Sequence, residues 1–390
     1  MPIPLEEPPI KREDSTPTLA EQCKNKSWGF GFYNFGLGEA ENRTFFNCGL
    51  VERKDGLWLL ARVSEITNDW FGLNSVYAFM LDASGKVPKV GHKLEWTDSV
   101  WNEQFEDARG VYFPSLDQTA IACCNFIWRG DSWTGALQVV GFFDNEWQCK
   151  IKHRPPIGGN PPELRDIEPK QYEKSWVPFF YKNKLHILYS SKPWMIYEFG
   201  DTWEDNKAWQ DTKGVSWKYG IIRGGTPPVL VDGKLWTFFH SSLKWQGNYR
   251  RYYMGAIAFE NKPPFKPLLI TPEPLLAGSQ NDPWAARKPP CIFPCGAIYR
   301  DEQFFITAGV NDVKCAWIEL SYDSLKPLMQ PIGDGVTPIL PQTGLSNGEI
   351  KKQQLRERAA NARAVLAKMR ENGQLKPFKR KRKRVALKAK

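Results

Sequence analysis

The sequence predicts an all-β fold, a five-bladed β-propeller followed by a C-terminal helix and a basic disordered tail. The first observation is a pattern of two apolar strands joined by a turn, which occurs five times along the chain. The second is the composition: 14% of the residues are aromatic, with 31 Gly and 30 Pro, which is typical of short strands joined by many turns. A single unit of this kind cannot bury both faces of its sheet, whereas five units packed around an axis can.

The five predicted hairpins span residues 47–62, 109–124, 176–190, 226–240 and 293–308. Asp-Gly occupies the turn of the first and the fourth hairpin, and this dipeptide between apolar runs is a strong hairpin signal. The other hairpins turn at residues 116–118, 182–184 and 300–302. A further apolar stretch follows each hairpin, at residues 76–81, 135–143, 195–199, 252–259 and 315–320. The alternative fold is a β-sandwich with a long insertion, but the constant internal order of the five units argues against it.

The chain divides into four predicted segments: a flexible N-terminal arm (1–26), the propeller (27–340), a C-terminal helix (341–374) and a basic tail (375–390). The arm is rich in Pro and polar residues. Within the third segment, residues 347–372 carry one apolar stripe at helical spacing, which Asn372-Gly373 terminates. The stripe docks the helix on the propeller or, alternatively, joins two copies of the chain in a homo-oligomer.

The positive charge is concentrated at the C-terminus. Residues 351–390 hold 16 of the 53 Lys and Arg and only two of the 43 acidic residues, so the other 350 residues are mildly acidic. Residues 376–390 are therefore the candidate contact for nucleic acid or another polyanion. The alternatives are a solubilising end or a nuclear-targeting signal.

The sequence predicts a protein of the cytoplasm or another reducing compartment. No run of about 18 apolar residues suggests a transmembrane helix, and the N-terminus lacks the basic and apolar regions of a signal peptide. The eight Cys are expected to be thiols. Because their spacing is not that of a zinc site and only four His are present, no metal ion is expected.

Polar side chains recur where the predicted inner strand of each blade begins or ends, and we expect them to converge on one central funnel. The first hairpin contributes Asn47 and Arg62, and the others contribute Glu106, Asp107, Arg109, Lys174, Trp176, Arg223, His240, Tyr252 and Asp312. The alternative interpretation is that these charges form ordinary ion pairs between loops. For Trp176 and His240 it is burial in the core.

Ordered motifs at these positions resemble glycoside hydrolase family 130. They are Phe-Glu-Asp-Ala-Arg at 105–109, Glu-Lys-Ser-Trp at 173–176, Arg-Gly-Gly-Thr-Pro-Pro at 223–228, Phe-His-Ser at 239–241, Pro-Pro-Phe at 263–265, Phe-Pro-Cys-Gly at 293–296 and Gly-Val-Asn-Asp at 309–312. The resemblance covers roughly residues 40–320. Ala108 stands where the family's acidic motif usually has Pro.

The resemblance implies a five-bladed propeller that cleaves β-mannosides with inversion, with Asp107 as the general acid. It implies substrate contacts from Asn47, Arg62, Glu106, Arg109, Trp176 and Asp312. It implies phosphate contacts from Lys174, Arg223, His240 and Tyr252. We expect Glu106 and partial burial to raise the pKa of Asp107.

The implied substrate is an oligosaccharide or other glycoside, with no cofactor and with inorganic phosphate as a co-substrate in the family's phosphorylases. In its hydrolases, carboxylates activate water instead. The sequence has no clear carboxylate pair near His240, which favours phosphorolysis or transfer. The alternative function is a non-catalytic carbohydrate-binding or structural propeller whose tail contacts a polyanion.

Overall fold

The computed structural model describes residues 14–35, 43–65, 74–88, 90–96, 103–129, 132–153, 171–172, 174–199, 207–211, 214–245, 250–283, 289–332 and 345–346. The first elements in chain order are α1 (Leu19–Asn25), β1 (Gly29–Phe32), β2 (Arg43–Arg53), β3 (Gly56–Glu65), β4 (Asn74–Met80), β5 (His92–Lys93), β6 (Glu103–Phe113), β7 (Gln118–Arg129), β8 (Ser132–Phe143), β9 (Cys149–His153), β10 (Gln171–Tyr172), β11 (Val177–Tyr181) and β12 (Lys184–Ser191).

The remaining elements are β13 (Trp194–Glu198), β14 (Lys207–Asp211), β15 (Val229–Val231), β16 (Lys234–Lys244), β17 (Arg250–Glu260), β18 (Pro267–Ile270), β19 (Leu276–Ala277), β20 (Ile292–Arg300), β21 (Gln303–Val310), β22 (Lys314–Ser321), α2 (Tyr322–Leu325), a 3₁₀ helix (Lys326–Leu328), β23 (Gln330–Pro331) and β24 (Leu345–Ser346).

The strands form the five predicted blades, each an antiparallel meander that begins at the propeller axis. Blade one is β2–β5, blade two β6–β9, blade three β11–β14 and blade four β15–β18, and blade five contains β20–β22. All five predicted hairpins are confirmed as the inner two strands of a blade. Strand β10 adds to blade two in parallel, β19 and β23 add to blade four, and β24 pairs with β14.

Blade five takes its outer strand from the opposite end of the chain. Strand β1 pairs antiparallel with β22, with Gly29 opposite Glu319 and Phe32 opposite Ala316. A disulfide between Cys48 of β2 and Cys315 of β22 also joins blades one and five. The expectation that all eight Cys are thiols is therefore wrong for this pair. The strand pairing and the disulfide together close the ring between its first and last blades.

The segment 14–26, which lies in the predicted flexible arm, is docked on the propeller. Thr18 caps α1 in a capping box with Glu21, and Leu19 and Cys23 are fully buried against blades four and five. Asp14 forms a 2.6 Å ion pair with Arg251 of β17. An apolar face and a cap therefore order a segment whose composition suggested disorder.

The core lies between the blades, because each sheet packs one face on either neighbour. Between blades two and three, for example, Ala120 and Val140 pack with Ile187 and Tyr197. None of the described helices is long and apolar enough to cross a membrane. The predicted C-terminal helix (347–372) and basic tail, like residues 1–13 of the arm, lie outside the described residues.

Candidate active site

The site is centred on a bulge in β6, the inner strand of blade two. The pairing of β6 with β7 shifts register between Glu106 and Arg109, and Asp107 has a φ of 56°. Neighbouring side chains on a regular strand point to opposite faces, whereas a bulge can redirect one of them. Both Glu106 and Asp107 consequently reach the same guanidinium, that of Arg62 on β3.

The inner strand of blade one has a bulge of the same kind. The register of β2 and β3 shifts between Phe46 and Gly49, and Asn47 has a φ of 50°; Asn and Asp tolerate this left-handed conformation better than most residues. Asn47 Nδ2 donates a 2.8 Å hydrogen bond to Asp107 Oδ1. Asn47 and Asp107 thus lie at bulges inside long strands rather than at the strand entrances that the sequence predicted.

Arg62 holds the two carboxyl groups together. Its Nη2 donates to Glu106 Oε1 at 2.5 Å and its Nη1 donates to Asp107 Oδ1 at 3.3 Å. Its Nε donates to Asn74 Oδ1 at 3.1 Å, and Asn74 Nδ2 donates in turn to Gln104 Oε1 at 3.0 Å. Sequence reasoning missed Asn74 and Gln104, because neither belongs to a motif and their role depends on how β4 and β6 pack.

The two carboxyl groups have opposite pKa shifts. Burial, together with the charges of Asp107 and Asp312, raises the pKa of Glu106 to about 7 even though Arg62 and Lys174 oppose the shift. Burial alone would raise the pKa of Asp107, but the charges of Arg62, Lys174 and Arg109 and the hydrogen bond from Asn47 lower it. The expected rise of the Asp107 pKa is therefore wrong, and it is Glu106 whose pKa rises.

Arg109 binds backbone carbonyls of the site rather than a substrate. Its side chain is 1% exposed. Its guanidinium donates to the backbone carbonyls of Asp107 (2.9 Å), Gly225 (2.6 Å) and Gly224 (3.3 Å). It thereby ties the bulge of blade two to the start of blade four. The predicted substrate contact from Arg109 does not fit this burial.

The Gly224-Gly225 pair allows blades three and four to approach closely. A Cβ on Gly224 would lie 2.1 Å from the carbonyl oxygen of Ser175, and one on Gly225 would lie 1.9 Å from that of Phe238. The pair brings the preceding Arg223 alongside His240 of β16, and their backbones exchange hydrogen bonds of 2.8 and 3.2 Å. The Arg-Gly-Gly motif is thus explained by backbone packing.

His240 is a neutral imidazole in this setting. Burial and the charges of Arg109 and Arg223 hold its pKa well below the usual range. Its ring lies 4.1 Å from that of Phe293, and its Nδ1 has no hydrogen-bond partner among the described residues. The ring of Tyr252 lies 6.1 Å from the ring of His240. Burial raises the pKa of the Tyr252 hydroxyl, so this hydroxyl stays protonated.

Lys174 and Asp312 lie around the same pair of carboxyl groups. Lys174 precedes β11, and its charge reaches both Glu106 and Asp107. Asp312 follows β21, and its charge reaches Arg62, Glu106 and Tyr252. Side chains from all five blades therefore surround this position.

Trp176 is a second candidate residue, after Arg109, that does not fit its predicted role. Its side chain is 1% exposed and packs with Ala122, Ile187 and Met195 between blades two and three. An indole in this position cannot stack on a sugar that enters the funnel. The predicted sugar contact is therefore wrong, and core packing explains the residue.

A cavity of about 170 Å³ lies between blades three and four. Lys174, whose charge reaches both Glu106 and Asp107, belongs to its lining. Three cationic side chains line it, Lys174, Lys192 and Arg223, and none of the lining residues that the structure describes is acidic. Its inner wall is apolar and includes Trp194 and Phe239. This arrangement favours an anionic group in the cavity.

No family model matches the chain, and no curated protein matches it. Solved structures do match. A β-1,2-mannobiose phosphorylase from Listeria innocua, in complex with β-1,2-mannobiose, is 13% identical with a TM-score of 0.50, over 77% of this chain and 93% of the other.

A second similar structure has the description that the GH130 family of mannoside phosphorylases contains glycoside hydrolases that target β-1,2-mannosidic linkages in Candida mannan. It is 12% identical with a TM-score of 0.51, over 73% of this chain and 86% of the other. At these identities the likeness concerns the fold. The chain has the five-bladed β-propeller fold of the glycoside hydrolase family 130 structures to which it is similar.

Proposed function

We propose that the protein is a glycoside-active enzyme that cleaves a β-mannoside-type bond with inversion, by phosphorolysis or by hydrolysis. The observation that carries the proposal is the pair of carboxyl groups on Glu106 and Asp107, held by one guanidinium where five blades meet. Glycosidic cleavage needs a protonated carboxyl at the leaving oxygen. A buried pair with divergent pKa values is the usual source of such an acid.

The nucleophile comes from a different part of the site. Glu106 and Asp107 are neighbours on one strand and share Arg62, so they lie on the same side of the funnel. In an inverting glycosidase the acid and the base flank the sugar, roughly 6.5 to 9.5 Å apart. The Glu106–Asp107 pair therefore supplies the acid, and another group holds the nucleophile.

Phosphate is the nucleophile that the surroundings favour. Lys174, Lys192 and Arg223 line the cavity between blades three and four, where no described lining residue is acidic. Neutral His240 can donate or accept a hydrogen bond, and the protonated hydroxyl of Tyr252 can donate one to an oxyanion. Ammonium, guanidinium and hydroxyl groups together suit phosphate.

Water is the alternative nucleophile, and Asp312 is the carboxylate that would activate it. Its charge reaches Glu106 and Arg62, so it belongs to the same site while lying on a different blade. Asn47 and Asp312 are also the candidate partners for sugar hydroxyls. Hydrolysis at Asp312 would make turnover independent of phosphate.

Product analysis over a panel of mannosides, with and without inorganic phosphate, tests the proposal. We expect a sugar phosphate when phosphate is present and little turnover when it is absent. Free sugar in both cases would assign hydrolysis. Binding of mannosides without turnover of any of them would contradict the enzyme proposal and favour a carbohydrate-binding propeller.

A further inference from the structure

We propose that the cavity between blades three and four binds an organic anion, a carboxylate or phosphate group attached to a small apolar body such as an aromatic ring. That this anion is the non-sugar part of a glycoside rests on the proposed function. Neither a free phosphate ion nor a sugar residue matches the whole lining of the cavity, as its cations, its apolar wall and its hydroxyl groups show in turn.

The cations of the cavity lie toward solvent. Lys192, in the turn between β12 and β13, and Arg223, before β15, are exposed, and Lys174 is partly buried. Lys192 Nζ donates a 3.1 Å hydrogen bond to Ser216 Oγ and forms no ion pair with a described residue. Cations at the opening of a cavity with low-dielectric walls attract an anion.

The inner wall of the cavity is apolar. Trp194, Phe239 and Ile257 belong to it and are each 1% exposed. Trp194 Nε1 donates to the carbonyl of Phe265 at 3.0 Å, so the one polar atom of this indole is already bonded. Inorganic phosphate would lose hydration against such a wall without a compensating hydrogen bond. An apolar group attached to the anion gains free energy from the same burial.

The hydroxyl groups of three lining residues are engaged in internal hydrogen bonds. Ser190, Ser191 and Thr237 each donate their hydroxyl proton to a backbone carbonyl. A sugar residue presents several hydroxyl groups that need neutral partners when they leave water. The three cations are therefore the main donors that this cavity offers, and they suit a charged acceptor.

The size of the cavity corresponds to one small ring. Its volume is about 170 Å³, and an apolar cavity of roughly 150 Å³ accommodates benzene. His240 and Tyr252, two of the four phosphate contacts that the sequence predicted, are not among its lining residues. The cavity thus extends beyond those contacts, to Lys192 on blade three.

Lys174 connects the cavity with the carboxyl pair. It belongs to the lining, and its charge reaches both Glu106 and Asp107. An anion in the cavity therefore lies close to the group that protonates the leaving oxygen, as expected when the anion is part of the leaving group. The substrate is then an acidic glycoside, and Lys192 is the residue that selects it.

Calorimetric titration with benzoate tests the binding site without any glycoside. We expect wild type to bind benzoate more tightly than benzamide, which has the same ring without the charge. Lys192→Met should weaken the binding of benzoate roughly tenfold, the effect of one charge-assisted contact, and leave that of benzamide unchanged.

Lys234→Met is the matched control, because Lys234 pairs with Asp232 at the turn before β16 and does not line the cavity. It should bind benzoate like wild type. No binding of benzoate, or equal affinity in wild type and Lys192→Met, would overturn the proposal and leave the proposed function standing. Inorganic phosphate that depended on Lys192 and bound as tightly as benzoate would also overturn it, because the cavity would then be a plain phosphate site.

Turnover of two aryl β-mannosides, one with a para-carboxylate and one with a para-carboxamide, tests the role of the anion in the substrate. Lys192→Met should raise KM for the carboxylate roughly tenfold and leave KM for the carboxamide unchanged. Comparing each substrate between the two proteins cancels the difference in leaving-group acidity. An equal effect on both substrates would contradict selection by Lys192. If wild type cleaves neither, the proposed function fails, while the benzoate titration still decides whether the cavity binds an organic anion.

Discussion

Asn47 on the inner strand of blade one donates a 2.8 Å hydrogen bond to Asp107 on the inner strand of blade two. Both residues lie at β-bulges with positive φ, so the contact joins two equivalent irregularities of neighbouring blades. It stabilises the carboxylate form of Asp107. The position of that charge is therefore set by two blades rather than one.

Arg62 is expected to stabilise the fold mainly when its partners are ionised. Replacing it with Met removes the guanidinium that both buried carboxyl groups share. We expect Arg62→Met to lower the free energy of unfolding at pH 8 by about 3 kcal/mol. The loss should be smaller at pH 5, where the orphaned carboxyl groups can take up protons. Urea denaturation at the two pH values measures both quantities.

Arg300→Met is the matched control. Arg300 pairs with Glu52 at 2.6 Å, but their side chains are 46% and 52% exposed, so the change should cost less than about 0.5 kcal/mol at either pH. Equal losses for the two variants would contradict the special role of Arg62.

Glu106 should give the stability a distinctive pH dependence. Its pKa is about 7 in the folded protein against an ordinary value of 4.5. A raised folded pKa contributes stability that is fully present below pH 4.5 and is lost as the pH rises through 7. The difference corresponds to about 3 kcal/mol. Glu106→Gln cannot ionise, so its free energy of unfolding should rise relative to wild type by up to this amount between pH 4.5 and 8. Parallel stability curves for the two proteins would show that Glu106 does not titrate in this range.

The docked helix α1 should contribute to the stability of the propeller. Leu19 is fully buried against blades four and five, so Leu19→Ala should lower the free energy of unfolding by about 2 to 5 kcal/mol. Leu116→Ala serves as the control, because Leu116 is 55% exposed and should cost less than about 0.5 kcal/mol. If both variants unfold at the wild-type denaturant concentration, α1 does not pack on the propeller in solution.

The cysteine pairing can be counted chemically. The structure joins Cys48 to Cys315 and leaves six Cys free. Titration of the protein with a thiol reagent, unfolded without reductant, should find six thiols, and eight after reduction. Eight thiols in both samples would contradict the disulfide between blades one and five.

The blades could be predicted because their signals are local. Asp55-Gly56 and Asp232-Gly233 mark tight turns between apolar runs, and each run is long enough to form a strand. The pairing of β1 with β22 could not be predicted in this way. Gly29–Phe32 is four residues long and pairs with a strand near the other end of the described propeller, which no local pattern encodes.

The site could be predicted in part. Polar residues at successive hairpins pointed to Asp107 and Arg62, which the structure brings together. The burial of Arg109 and Trp176 could not be predicted. In the sequence, a polar or aromatic residue near a strand end looks the same whether its side chain faces a ligand or the core. Arg109 is buried where its guanidinium donates to the backbone carbonyls of Gly224 and Gly225.

The opposite pKa shifts of Glu106 and Asp107 also depend on tertiary contacts. Sequence places the two carboxyl groups side by side, and the expectation was that Glu106 would raise the pKa of Asp107. The charges of Arg62, Lys174 and Arg109 and the hydrogen bond from Asn47 reverse the outcome. Such an inversion is set by donors from another blade and cannot be deduced from adjacent residues.

Turnover of an unactivated β-mannoside by wild type, Glu106→Gln and Asp107→Asn, compared with turnover of an activated aryl mannoside, tests whether this carboxyl pair cleaves glycosides. We expect both variants to lose roughly a hundredfold to ten-thousandfold on the unactivated substrate. The variant that lacks the proton donor should recover much of the loss on the aryl substrate, which needs less protonation, and the other variant should recover little. Near wild-type turnover of the unactivated mannoside by both variants would contradict catalysis at the pair.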